Sequence, residues 1–343
     1  VAALIMMVAL RVPSLFEPRW YGDEGIFAAV AQNLRDGRAL YSEAWDNKPP
    51  LIFYTYAGTQ AAFGTSVTAL HAVATAAVVA TQIVVIAIAW RIAGPARAAM
   101  AAMLFALLMG TPLIEGTLAM TETFMILPAS LAMLAIVLAH NTTGRKRQAL
   151  EVAAGAAFGI AAAYKQVAVF DAMAAGVFLM LTAPHPRSSL LCLTAGFAVP
   201  QTALAAYFVA TGAFADYWYA IAGSLGLYAE IAPQPGLVVR VAGYLPALLV
   251  TAYLVRRQQL GGSITVAHLP MLWLGFAIIG VTSSAFPFPH YLQQAAPAAV
   301  SAIALKQRGS RPYGSQCLLP RSKHSRRECR LHAHENGLHR GDA

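Results

Sequence analysis

The chain has 343 residues, 58% of them hydrophobic and only 11% charged. A soluble globular domain carries about 25% charged residues, so the composition excludes an ordinary soluble enzyme and points to a polytopic membrane protein. The formal net charge of +9 is concentrated from Lys306 onward, where 9 Lys and Arg face 3 acids; the body keeps 15 basic and 12 acidic residues, a balance that gives nucleic acid no footing.

Apolar runs, cut at charged and Pro/Gly-rich breaks, predict an all-α protein with about ten membrane helices. They fall at 1–16, 67–90, 96–114, 122–140, 149–164, 167–183, 189–211, 237–255, 264–282 and 291–305. The first is short for a span of roughly 20 residues, and the chain opens on Val1, which fits a preceding piece. A cleaved secretory signal is the rival reading of 1–16, but no basic residues precede it.

Between the first two spans lies the polar segment 17–66, which contains WYGDEGIFAAVAQNLRDGRALYSEAWDNKPPL. Asp23 and Glu24 open a short amphipathic helix with Ile26, Phe27, Val30 and Leu34 on one face and Gln32, Asn33, Arg35 and Asp36 on the other. That is the pattern of a helix lying in a membrane interface. Gly37 is its expected stop. The structural role open to the acidic pair is Asp23 as N-cap and Glu24 as a first-turn acid complementing the helix dipole. Carboxylates able to draw a proton, beside a cation able to hold an anion, are also the parts of a transferase. Lys48 supplies that cation. Pro49 and Pro50 stiffen the backbone after it, and a fixed ammonium at the mouth of a membrane cleft suits a lipid-linked phosphate. A snorkelling interfacial lysine is the plainer alternative.

Basic residues fix the orientation. With the N-terminus in the cytoplasm, Arg91, Arg97, Arg145, Lys146, Arg147, Arg187, Arg256 and Arg257 all fall inside, with Glu151 the one clear acid beside them. The opposite side receives Asp23, Glu24, Asp36, Glu43, Asp46, Glu115, Glu122, Asp216 and Glu230. The apolar residues 50–63 are too short to span, and counting them as a crossing would break this bias. They are read as an interfacial helix or the lead-in to the next span, which leaves the polar segment external.

Further along, Lys165 lies between two apolar runs, where a charge is costly and by default functional; Asp171 is a candidate counter-ion, or a carboxylate satisfied by a hydroxyl. Glu122 begins the fourth span and is either a cleft acid or a first-turn helix acid. His290 and Tyr291, in SSAFPFPHYLQQ, stand at an external helix start, as interfacial aromatics or as cleft residues that bind phosphate or sugar. Of the three cysteines, Cys192 reads as a small buried hydrophobe. Cys317 and Cys329, with His324, His332, His334 and His339, match no closed zinc pattern. The tail 306–343, rich in Arg, His, Ser and Gly, is expected to be a disordered cytoplasmic segment.

The run RVPSLFEPRWYGDEGIFAAVAQNLRDGRALYSEAWDNKPPLIFY resembles the first external loop of the GT-C membrane glycosyltransferases, in the branch that is protein-mannosyltransferase-like and aminoarabinose-transferase-like. The resemblance rests on the Asp23–Glu24 pair, the Ala-rich helix ending in Gly, Tyr41 and the Lys48-Pro49-Pro50 triplet. GIAAAYKQVAVF around Lys165 and FPHYLQQAAPA around His290 extend it over roughly residues 10–303. It implies a GT-C-like bundle and an inverting sugar transfer from a polyprenyl-phosphate donor to an acceptor glycan, lipid or protein on the external face of the cell membrane. Asp23 would be the general base, with Glu24 beside it, and Lys48 and Lys165 would meet the donor phosphate. Asn47 stands where the aminoarabinose-transferring relatives carry a glutamate, so the resemblance does not extend that sugar, or a metal contact there, to this chain; a divalent metal is left open. The tail matches nothing in the family, as a frameshifted or truncated end would. The alternative function is a transporter or flippase of a lipid-linked substrate, which would place its polar residues near the midplane on broken helices; a non-catalytic scaffold is the third.

Overall fold

The computed structural model describes residues 1–18, 21–224, 226–227, 237–283 and 288–306. All the described elements are helical. They are α1 (Ala2–Arg11), α2 (Gly22–Arg35), α3 (Leu51–Phe63), α4 (Val67–Ala93), α5 (Pro95–Met109), α6 (Thr121–His140), α7 (Gly144–Tyr164), α8 (Ala168–Thr182), α9 (Pro186–Ala210), α10 (Phe214–Trp218), α11 (Leu237–Gln259), α12 (Leu269–Thr282) and α13 (Ala296–Lys306). Short 3₁₀ turns lead out of α1 and into α12 and α13.

Each of the ten predicted stretches falls on a helix. Several helices run past the predicted ends: α7 begins at Gly144, so Arg145, Lys146 and Arg147 ride on it, and α11 continues through Arg256 and Arg257 to Gln259. Charge marks where a helix leaves an apolar environment, while the helix itself ends only at a breaker. Gly94, at φ +86°, and Pro95 separate α4 from α5 in this way. Among the described residues three helices, α4, α6 and α9, are long and apolar enough to cross a membrane, and four apolar segments are shorter: 2–16, 95–109, 168–182 and 266–282. The tail 307–343, and with it the histidines and cysteines considered for zinc, lies outside the described residues.

Two apolar cores organise the chain. The larger joins α1 and α4–α9 to α11–α13 through residues such as Val85, Phe105, Met133, Phe158, Phe178 and Trp273. Helices α7 and α9 pack backbone to backbone: a Cβ on Gly155 would lie 2.0 Å from the Leu193 carbonyl oxygen, and one on Gly196 2.0 Å from that of Val152. Small residues that let helix backbones touch are how apolar helices associate without a hydrophobic driving force between them. Cys192, on α9, is half-buried and free rather than fully enclosed.

The smaller core is an aromatic platform at one end of the bundle, where α2, α3 and the intervening loop meet the ends of α4 and α9. Phe27 sits edge-on to Phe53 and Tyr56, and Tyr41 packs against Phe208, which stacks on Tyr217 at 4.4 Å. Helix α2 keeps Phe27, Val30 and Leu34 of the predicted face against the core and turns Ile26 out. Glu24, Phe27, Ala28 and Ala31 point inward, at helical spacing, and Val30 is buried with them, while Ile26 is 48% exposed. Ala28 and Ala31 in the inward stripe allow the close approach of α3, and the larger Ile26 is turned outward.

Candidate active site

Five segments converge at the platform end: the start of α2, the 36–50 loop, the 110–120 loop, the α7–α8 linker and the 3₁₀ turn before α13. Side-chain hydrogen bonds and ion pairs link four of them, and the 36–50 loop joins through the packing of Tyr41 on Phe53, Phe208 and Tyr217.

Helix α2 begins at Gly22 with Tyr21 as N-cap and no side-chain cap, so Asp23 is a first-turn residue rather than the cap the sequence suggested. Asp23 and Glu24, adjacent in sequence, project about 100° apart on the helix. Glu24 is fully buried. Its Oε1 accepts from the Ala119 N–H at 2.6 Å and lies 3.1 Å from His71 Nε2. The other ring nitrogen of His71 meets the Ser14 carbonyl. Arg11, also fully buried, binds Thr75 Oγ1 at 3.0 Å and donates to the carbonyls of Met109 (2.8 Å), Gly116 and Thr117 (3.1 Å). Together Arg11, Glu24 and His71 tie α1, α2 and α4 to the 110–120 loop. Asp23 is half-buried and, among the described residues, has no hydrogen-bond partner.

The 36–50 loop presents Lys48. Tyr41 takes φ +73°, a costly value for a residue with a side chain. It is held there by its N–H on the Ala44 carbonyl at 2.8 Å and by its hydroxyl, which donates to the Lys48 carbonyl at 2.8 Å. Lys48 Nζ donates to Asn47 Oδ1 at 2.8 Å and remains half-exposed. Burial pushes the Asp46 carboxyl above the usual aspartate range; Lys48 opposes this and the charge of Asp23 adds to it. Asp23, Asp46 and Lys48 are therefore electrostatic neighbours.

On the facing side, Lys165 in the α7–α8 linker pairs with Glu122 at the head of α6 and sits 3.8 Å above the Tyr291 ring, a cation–π contact. Burial draws the Lys165 ammonium below the ordinary lysine range; Glu122 and, less strongly, Asp23 counter it, and Lys48 adds to it. Glu122 also accepts from Thr121 Oγ1 at 2.6 Å. His290 Nδ1 lies 2.7 Å from Glu115 Oε2 and 3.3 Å from the Tyr21 hydroxyl, and its Nε2 lies 4.0 Å from Glu122. Glu115 reaches it from a left-handed backbone conformation, φ +51°, and Gln293 fastens the same turn by donating to the Glu115 carbonyl at 2.9 Å.

All seven residues singled out from the sequence thus lie at this end. Their states differ. Glu24, Glu122 and Lys165 are enclosed and paired, whereas Asp23 and Lys48 reach the surface of the site. Asp171 is not the counter-ion of Lys165: it accepts from Trp273 Nε1 at 3.0 Å and Gln294 Nε2 at 3.3 Å. Glu115, Asp46, Tyr21, His71 and Arg11 belong to the site or its support although the sequence pattern assigns them no role there; Glu115 and Asp46 register only as charge on one side. Among the described residues no group of three or more His, Cys, Asp and Glu is placed to hold a metal ion, and the Asn47 amide oxygen is engaged by Lys48.

Beside Lys48 is a cavity of about 280 Å³ lined by Pro49, Pro50, Ala162, Phe197, Tyr217 and Ile221 among others. Gln166 and Gln201 also line it, each spending its amide N–H on a backbone carbonyl.

Residues 47–207 match the family model described as dolichyl-phosphate-mannose-protein mannosyltransferase. No curated protein matches the chain by sequence. Among solved structures, ArnT from Cupriavidus metallidurans bound to undecaprenyl phosphate superposes with a TM-score of 0.64 at 16% identity, over 90% of this chain and 60% of that one. ArnT in the apo state gives 0.64 at 17% identity, over 90% and 59%. The archaeal oligosaccharyltransferase AglB from Archaeoglobus fulgidus, in complex with an inhibitory peptide and a dolichol-phosphate, gives 0.54 at 12% identity, over 99% and 52%. The chain therefore spans between about half and three-fifths of the length of these proteins. The family model thus matches residues 47–207, and the chain shares the fold of ArnT and AglB.

Proposed function

We propose that the chain transfers a sugar from a polyprenyl-phosphate donor to an acceptor hydroxyl, with Asp23 as general base and Lys48 at the donor phosphate. The observation that carries this reading is the contrast within one cluster. Asp23 alone among its central carboxylates, Asp23, Glu24 and Glu122, has no hydrogen-bond partner among the described residues, and it shares Asp46 and Lys165 as electrostatic neighbours with the half-exposed ammonium of Lys48. Asp23 takes the proton of the acceptor hydroxyl as the acceptor oxygen attacks the anomeric carbon. The bond from that carbon to the phosphate oxygen breaks, and the lipid phosphate leaves with the electron pair, its charge met by Lys48. A single displacement inverts the anomeric centre. The cavity behind Pro49 and Pro50 suits the first part of the prenyl chain, because its walls are largely aliphatic and aromatic and its amide N–H groups are already donated to backbone carbonyls.

Glu24 is a positioning residue in this scheme. Its carboxylate is spent on Ala119 and His71, and with Arg11 it sets the loop that brings Glu115 to His290. Lys165 is paired with Glu122, so its part is to balance charge behind the phosphate site and to hold Tyr291. The basic breaks at the far end support a site on the external face of the cell membrane, by the positive-inside rule. The test is turnover by the purified full chain in detergent against a panel of polyprenyl-phosphate sugars, read as release of polyprenyl phosphate. Release with at least one donor, dependent on an acceptor, is expected. Specific donor binding with transbilayer movement and no sugar transfer would favour a flippase instead.

A further inference from the structure

At the end of the bundle away from Asp23, α11 closes over a cavity of about 430 Å³ lined by Tyr253, Arg256, Arg257, Leu260 and Gly262. Helix α12 separates the two ends: it runs 14 residues, roughly 21 Å, before the chain returns toward His290. We propose that this cavity binds the headgroup of an anionic phospholipid, whose acyl chain lies along the exposed face of α11.

The cavity is built around a fixed guanidinium. Arg257 Nε donates to the Ser263 carbonyl at 3.0 Å and Nη1 to the Tyr253 hydroxyl at 3.4 Å. The helix ends in a tight Gly-Gly turn: Gly261 takes φ +77°, its N–H bonds the Gln258 carbonyl, and the Gly262 N–H bonds the Arg257 carbonyl at 2.9 Å. That turn lies against the Arg257 stem, since a Cβ on Gly262 would come within 2.8 Å of Arg257 Cγ. Nη2 of Arg257 and the whole guanidinium of exposed Arg256 have no hydrogen-bond or ion-pair partner among the described residues, and no acid lines the cavity. Two arginines without a counter-charge, one of them pre-oriented, form a site for a phosphate, which guanidinium groups bind through paired N–H donors.

The adjoining surface says why the phosphate should belong to a lipid. Val238, Val241, Leu245 and Leu248 are all exposed and recur at helical spacing, and the same stripe ends at Arg256. Leu249, 59% exposed, and Tyr253 flank it. From Leu245 to Arg256 the helix rises roughly 16 Å, about half of a hydrocarbon core near 30 Å thick. The arginines thus stand one leaflet's depth from the middle of the apolar stripe, with Tyr253 at the level where interfacial aromatics sit. The stripe is the bilayer-facing surface of a membrane helix, so a lipid phosphate reaches the arginines at its end with its acyl chain still in the hydrocarbon.

The experiment titrates the purified full chain, in neutral detergent, with short-chain phosphatidylglycerol, phosphatidylcholine and inorganic phosphate. Wild type is expected to bind phosphatidylglycerol at least about tenfold more tightly than phosphatidylcholine. R256Q/R257Q should weaken phosphatidylglycerol binding about tenfold or more, the worth of charge-assisted bonds. R145Q/K146Q, which removes the same charge from exposed positions at the start of α7, should change it less than about twofold. Because R257Q also gives up the bond to Ser263, R256Q alone serves as the conservative variant, with unchanged melting and about threefold weaker binding. Equal losses in both double variants would reduce the effect to net charge and overturn the proposal. So would undiminished binding in R256Q/R257Q, phosphatidylcholine binding as tight as phosphatidylglycerol, or full competition by inorganic phosphate at the concentration at which the lipid binds.

Discussion

Replacing Glu24 by Gln separates support from chemistry in a motif where two carboxylates are neighbours. Glu24 is fully buried, accepts from the Ala119 N–H at 2.6 Å and meets His71 at 3.1 Å, with the buried Arg11 in electrostatic range. A glutamine keeps the volume and can still accept from Ala119, but its charge is gone. Hydrogen bonds to charged groups contribute about 1.5–3 kcal/mol each, and one of the two survives in neutral form, so Glu24→Gln should cost about 1–3 kcal/mol. Glu24→Ala leaves the partners without an acceptor and belongs with broken buried pairs, at about 3–5 kcal/mol. Thermal unfolding of the detergent-solubilised protein orders the three as wild type, Gln, Ala. His71→Gln in both backgrounds gives the coupling, expected at about 0.5–3 kcal/mol for residues in contact. Activity should fall in step with stability and recover on cooling. A Glu24→Gln protein that melts like wild type yet has lost turnover would refute the positioning argument and put Glu24 in the chemistry.

Other predictions test the frame around it. Gly155→Ala should destabilise by about 1–3 kcal/mol through overpacking, because its Cβ would meet the Leu193 carbonyl, while Gly58→Ala, with open space around it, should not lower the melting temperature. Lys165→Met should lower stability more than Lys165→Met combined with Glu122→Gln, since the single change strands a buried carboxylate; equal losses would mean the pair is not coupled. Asp46 has its folded-state affinity for protons raised by burial. Its contribution to stability is therefore present below the unfolded aspartate pKa of about 3.9 and is lost as pH rises through the higher folded value. Asp46→Asn should accordingly melt higher than wild type at pH 7, with the gap closing in acid; a gap that widens in acid would reverse the assignment.

How much of this was legible in the sequence varies with the physics involved. Hydropathy located all ten helical stretches because each carries its apolar surface as one continuous run. The pairing of Asp23–Glu24 with Lys48-Pro49-Pro50 marked the end of the bundle where the proposed site lies, since charged groups crowded between apolar runs are costly to keep beside a membrane. Which carboxylate is enclosed was not legible: a step of one residue on a helix turns a side chain by about 100°, and the partner that encloses Glu24, the Ala119 N–H, is 95 residues away. His71 and Arg11 were hidden inside apolar helices, where their only signal was being polar. Ile26 was misplaced on the inward face of α2 because it outweighs Ala28 and Ala31 in hydrophobicity, while close helix packing prefers the alanines. Glu115 lay in a loop whose left-handed turn brings it to His290, a meeting across 175 residues that no local pattern encodes.

The central claim, that Asp23 is the base for transfer from a lipid phosphate, is tested most directly by single-donor turnover in Asp23→Asn. The substitution keeps size, touches no hydrogen bond among the described residues, and alters helix-dipole stabilisation by only about 0.3–1 kcal/mol. General-base assistance is worth about 10²- to 10⁴-fold. The account predicts a loss of turnover in that range, with melting temperature and polyprenyl-phosphate binding unchanged. Near-normal turnover in Asp23→Asn would contradict it.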